Sequence, residues 1–287
     1  MNIGTVFARA MFPVLLGTSL AGCGKSGSDR EKPQSDQAVG ALTVPTSHSM
    51  SMNLDVATGG TDLDALMRLT AVKSGANHLQ AMIYVSTVET NIAQVLKLPI
   101  KLLKAAESKQ PTQAGTDTWI YSFDILDNNR VLTANLTAIR QSATATSWTM
   151  RVTSLPSDIN GCCTDIVFFE GQSSASGSGT WQVYDITKPR DSAILFSVVY
   201  DYKSPTNKVL LVTMSGESAQ GRLGRNSTVR YSANADALSL EISDSSNQGK
   251  RFLTWSEANK SGEHTDPQKS RVCWDTYVNS FVDVSCE

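Results

Sequence analysis

Histidine is scarce in this 287-residue chain: only His48, His78 and His264 occur. None belongs to an HExxH pair or stands at catalytic spacing from a nearby cysteine, so the commonest zinc and thiol chemistries have no signature here. A G-x-S-x-G nucleophile elbow is missing as well, since Gly216-Glu217-Ser218-Ala219-Gln220 lacks the second glycine. Basic excess is absent, with 25 Lys and Arg against 27 Asp and Glu. Nothing is left over to neutralise phosphates, which argues against nucleic acid as a partner. No apolar run reaches the roughly 20 residues of a membrane-spanning helix, and no repeat of fixed period stands out.

What is present begins at the N-terminus. Residues 1–22 carry one charge, Arg9, then an apolar segment from Ala10 to Leu20 broken by Pro13. A basic start, a short apolar middle and small residues at the end make a secretory signal. The quartet Leu20-Ala21-Gly22-Cys23 resembles the lipobox of bacterial lipoproteins. The resemblance implies that the Cys23 thiol receives a diacylglycerol, that the signal is cut just before it, and that the new amine is acylated. Small Ala21 and Gly22 would let a peptidase reach the backbone. Each buried methylene contributes ~0.8 kcal/mol, so more than one chain anchors stably. A P-loop reading of Gly24-Lys25-Ser26 fails, because Ser19 stands where that motif needs glycine. In the resembled class an Asp directly after the lipidated cysteine marks inner-membrane retention. Gly24 stands there instead, which favours the outer membrane of a bacterial envelope.

Residues 23–58 then read as a lipidated flexible tether. Gly24 to Met52 is rich in Gly, Ser, Asp, Gln and Pro, too polar to offset its ordering entropy by burial.

Four cysteines remain, and an exported chain most often pairs them. Cys273 and Cys286 flank WDTYVNSFVDVS. Folding this about Asn279-Ser280 predicts a hairpin with the two cysteines opposite and bridged, and with Val278 facing Phe281. Adjacent Cys162 and Cys163 leave three options: a strained vicinal bridge, two free thiols, or cross-links elsewhere. No ligand spacing surrounds them, so no metal and no cofactor is expected.

Residues 59–110 have helical periodicity, with Leu63, Leu66, Met67 and Thr70, then Ile92, Val95, Leu96, Leu102, Leu103 and Ala106 on one face. Thr61 with Asp64, and Ser86 with Glu89, look like capping pairs that start helices, and Pro99 predicts a break. From 115 to 287 the period becomes two. Leu132, Ala134, Leu136 and Ala138 alternate with polar residues, as do Trp148, Met150 and Val152. Turn clusters at Asp127–Asn129, Ser173–Gly179, Ser204–Asn207, Asp244–Gly249 and Ser261–Asp266 separate such runs. The expected class is α+β: an N-terminal helical segment, then an antiparallel meander of about ten strands curled into an open or closed barrel-like sheet.

Three functions fit this outline. The first is a non-enzymatic envelope lipoprotein, held to the membrane at Cys23 and structural or partner-binding toward other envelope proteins. The second is a carrier or sensor of an apolar ligand in a half-barrel, resembling in layout only the lipoprotein-carrier proteins of bacterial envelopes. No site residue carries over from that family, so the ligand-binding residues stay unassigned. The third is a glycan hydrolase using Asp185, Asp201 and Asp275, each of which follows an aromatic strand residue. Trp119, Trp148, Trp181, Trp255 and Trp274 are expected in the core, or lining a cavity if the barrel is wide. The helices between Thr61 and Gln110 are the expected filler of the interior, ahead of an acyl ligand.

Overall fold

The computed structural model describes residues 42–54, 75–155, 164–185, 193–216, 223–235, 237–245, 249–256, 258–265, 271–277 and 280–286. The signal, Cys23, the Thr61–Asp64 pair, Cys162 and Cys163 lie outside them.

Among the described residues fourteen strands make one antiparallel sheet in which each strand pairs with its neighbours in sequence. They are β1 (Thr112–Gly115), β2 (Thr118–Asp127), β3 (Arg130–Arg140), β4 (Ala145–Leu155), β5 (Ile166–Ser174), β6 (Ser178–Tyr184) and β7 (Ile194–Ser204). There follow β8 (Asn207–Met214), β9 (Thr228–Asn234), β10 (Ala237–Asp244), β11 (Gly249–Ser256), β12 (Gly262–Thr265), β13 (Val272–Tyr277) and β14 (Ser280–Val284). Among the described residues no ladder joins β1 to β14, so the sheet is open. The expected α+β meander is present, with fourteen strands rather than about ten. Two of the additional strands, β1 and β12, are four residues long. β12 occupies much of the Ser261–Asp266 stretch read as a turn, because its Gly262 and His264 complete ladders to both neighbours.

One face of the sheet is buried, following the period-two pattern. In register, a row runs Trp119, Ala138, Trp148, Gly171, Trp181 across β2 to β6. Large and small residues alternate along it, so the indoles lie over small neighbours rather than against each other. Gly171 has no room for a side chain: a Cβ there would meet the Thr180 carbonyl and the Trp181 ring. Gly179 opposite Tyr200 and Gly262 opposite Trp274 repeat the arrangement. Glycine covered by a cross-strand aromatic is a device that bends a sheet while keeping its register.

One helix fills part of the concave side. It comprises α1 (Ala76–Val88), a π-helical turn at Glu89–Ala93, and α2 (Gln94–Glu107). Val85, Val88, Ile92, Leu96, Leu103 and Ala106 form its buried stripe. α1 packs on β12, β13 and β14 while α2 packs on β2, so the helix spans from one end of the sheet to the other. Neither expected interruption occurs. Ser86 lies inside α1, and Pro99 is buried inside α2. The irregularity sits at the π-turn instead, where Thr87, Thr90 and Asn91 bond back to the carbonyls of Ile83, Ser86 and Thr87. Such side-chain bonds compete with the helical ladder and open a turn.

The stretch read as a tether is in part core. Residues 42–54 form a strap on the concave face, with Val44, Met50 and Leu54 buried and a 3₁₀ turn at Ser47–Ser49 against β7. These three apolar side chains, spaced through a polar stretch, join the core cluster.

Cys273 and Cys286 are disulfide-bonded. The hairpin register differs from expectation, since Tyr277 pairs with Ser280 and Cys273 faces Val284. The bridge therefore ties Cys273 to a residue just beyond β14.

Candidate functional site

The strap is held by polar groups along the middle of the sheet. Trp181 donates its indole N–H to Ser49 Oγ at 3.1 Å. The Asn53 N–H reaches Tyr231 OH at 3.3 Å. Tyr121 OH bonds the Leu42 carbonyl, and the Ser47 N–H bonds Glu107 of α2. Lys208 contributes most: its ammonium donates to the Ser51 carbonyl at 2.7 Å and Ser51 Oγ at 3.2 Å, and lies 5.6 Å from the Tyr231 ring. It is 3% exposed, and burial pulls its pKa down to about 8. A signal for it existed in the sequence. Lys208 is in phase with Leu210, Val212 and Met214, a charge on the apolar stripe of β8.

Above the strap lies a cleft of about 380 Å³ between Leu42–Thr46, the turn after β3 and the turn after β5. Most of its lining residues carry a hydroxyl and none of them carries a charge. Ser49 and Ser173 each accept an indole N–H, from Trp181 and from Trp148 at 2.8 Å. In register, Tyr200 stands opposite Gly179, Gly179 opposite Ser173 and Ser173 opposite Thr146, with Trp148 two residues along β4. The phenol end of Tyr200 lies over Gly179. Tyr200 is 4% exposed and its hydroxyl has no hydrogen-bond partner among the described residues. Burial raises its pKa well above the usual tyrosine range.

At the other end of the sheet the start of α1 docks on the disulfide hairpin. Asp283 accepts the N–H groups of Ala76 at 3.1 Å and Asn77 at 3.0 Å, and Gly75 N–H bonds the Phe281 carbonyl. Asn77 Nδ2 reaches the Cys273 carbonyl at 3.1 Å. His78 stacks on Phe281 at 3.6 Å and edges Trp274 at 5.7 Å. Desolvation lowers its pKa to about 4, against an opposing pull from Asp283.

The three aspartates considered for glycan hydrolysis are not gathered. Asp201 is exposed on β7, Asp275 is exposed on β13, and Asp185 follows β6 near Tyr184. β7 and β13 are six places apart in the strand order. Of the histidines, His48 stands apart, exposed beside Tyr202, whereas His78 and His264 both lie against Trp274, with His264 also near Tyr84. Trp119, Trp148, Trp181, Trp255 and Trp274 are all buried. Among the described residues no helix is long and apolar enough to cross a membrane. No family model matches the chain, and neither a curated protein nor a solved structure is found to match it.

Proposed function

We propose that this chain is a non-enzymatic lipoprotein of the bacterial envelope, tied to the membrane by acyl chains on Cys23 and serving as a structural or partner-binding body. The anchoring half of this reading rests on the lipobox resemblance. The non-carrier half rests on one observation. The concave face, where a half-barrel carrier would hold an acyl chain, is packed with the chain's own helix and strap: Met50, Val85, Val88, Ile92, Leu96 and Leu103 are each at most 1% exposed. Protein interiors are filled to crystal-like density, so lipid could enter only by displacing these groups. The outer strands and loops are then what remains for contacts with other envelope components.

The test is lipid content. Protein purified from its native host without detergent, as a soluble form beginning after Cys23, should yield no stoichiometric lipid on mass spectrometry of an organic extract. One lipid per chain would make it a carrier.

A further inference from the structure

We propose that the cleft between the strap and the β3–β4 and β5–β6 turns is a binding site for a neutral sugar unit. This goes beyond the anchoring reading and does not depend on it. Three features of the cleft carry the argument.

The first is its donors. Ser49 and Ser173 spend an acceptor lone pair each on an indole N–H, from Trp181 and Trp148. That orients both oxygens; Ser49 is wholly buried behind the wall, whereas the half-buried Ser173 keeps its hydroxyl proton available to donate into the cleft. Both tryptophans are buried in the alternating row of the sheet, so this wall is fixed by the core rather than by loops. The second is Tyr200, a hydroxyl almost wholly buried at the cleft wall without a partner. An unmade hydrogen bond at a buried hydroxyl costs stability, and a ligand oxygen would relieve that cost. The third is the character of the remaining wall. Leu42, Val44, Pro45 and Ala175 supply apolar surface, and no charged side chain lines the cleft.

Fixed hydroxyl donors, apolar patches and no charge match a pyranose, which has acceptor-rich edges and a C–H face. A phosphate or carboxylate ligand would meet no cation here. The volume falls within the range of about 300–1,000 Å³ usual for small-molecule sites.

The experiment uses the full-length chain in a detergent without a sugar headgroup. N,N′-diacetylchitobiose, cellobiose and maltose are titrated while tryptophan emission is followed, because Trp148 and Trp181 hold the two cleft serines. Glucuronate and glucose 6-phosphate serve as charged controls. We expect a saturable response to at least one neutral disaccharide and none to the charged sugars. Affinity should fall about tenfold in Tyr200→Phe, which removes only a partnerless hydroxyl. Thr146→Val, an isosteric change on the cleft wall opposite Ser173, provides a second variant should the first not fold, and should also weaken binding. The proposal is overturned if none of the three disaccharides gives a saturable response, if binding survives both substitutions unchanged, or if a charged sugar binds as well as a neutral one.

Discussion

Asp283, near the end of the chain, caps a helix that begins 207 residues earlier, its carboxylate accepting the Ala76 N–H at 3.1 Å and the Asn77 N–H at 3.0 Å. Helix starts are ordinarily capped by the residue just before them. Here that residue is Gly75, which has no side chain to do so, and a Cβ on it would collide with Asp283. Asp283→Ala should therefore lower stability by about 1 kcal/mol through the lost cap and its charge at the helix N-terminus. Urea unfolding of the two proteins would measure it. An unchanged midpoint would show that the helix start needs no partner.

The burial of His78 beside this cap sets an acid response, which the Asp283 charge opposes. The folded chain holds His78 at a pKa of about 4, below the ordinary 6.5, so the unfolded chain takes up the proton first. The stability that neutral His78 contributes is complete above pH 6.5 and declines as pH falls toward 4, a loss on the order of 3 kcal/mol for a group so depressed. Unfolding midpoints at pH 7, 5.5 and 4 should show this decline, and His78→Phe should flatten it. A mutant profile parallel to wild type would assign the acid sensitivity to other groups.

Gly171→Ala should cost about 1–3 kcal/mol, because the new methyl has backbone on one side and Trp181 on the other. Gly115 is the internal control. Its nearest atoms to an added Cβ belong to Thr118 at 3.7 Å, an ordinary contact, so Gly115→Ala should leave stability nearly unchanged. Thermal melts of both variants, with near-ultraviolet dichroism to watch the indoles, compare them directly. Equal melting temperatures would mean that the glycine–tryptophan pair is incidental to the curvature.

Cys23→Ser should abolish lipidation and leave the precursor uncleaved, as the Leu20-Ala21-Gly22-Cys23 quartet predicts. Metabolic labelling with a fatty acid should tag the wild type alone. Equal label in the mutant would place the lipid elsewhere.

The parts of the fold that could be read in advance are those written in local pattern. Alternation exposed most strands, and Asn128 and Asn129 lie at positive φ in the turn their identity suggested. The Cys273–Cys286 pair was legible from spacing, although the register around it was not, because Val278-Asn279 and Asn279-Ser280 are both plausible turn centres. The strap was hidden by composition: Val44, Met50 and Leu54 are too sparse to show a period. Pro99 misled because packing along the buried stripe of α2 outweighs the loss of one helical hydrogen bond. The cleft was illegible for another reason. Ser49, Ser173 and Tyr200 come from three separate segments: the strand register brings Ser173 and Tyr200 together, and the bond from Trp181 brings Ser49 to them.

The unbroken strand order has a bearing on how the chain reaches this state. Every ladder joins strands consecutive in sequence, so the sheet can grow by adding one hairpin at a time, each closing a short loop at little entropic cost. The bonds from Asp283 to α1 and from Lys208 to the strap span 206 and 157 residues. They become available only after the intervening strands exist. A chain truncated before β14 would thus retain most of its ladder while leaving the helix start without its cap, and the last strand acts as the latch that completes assembly.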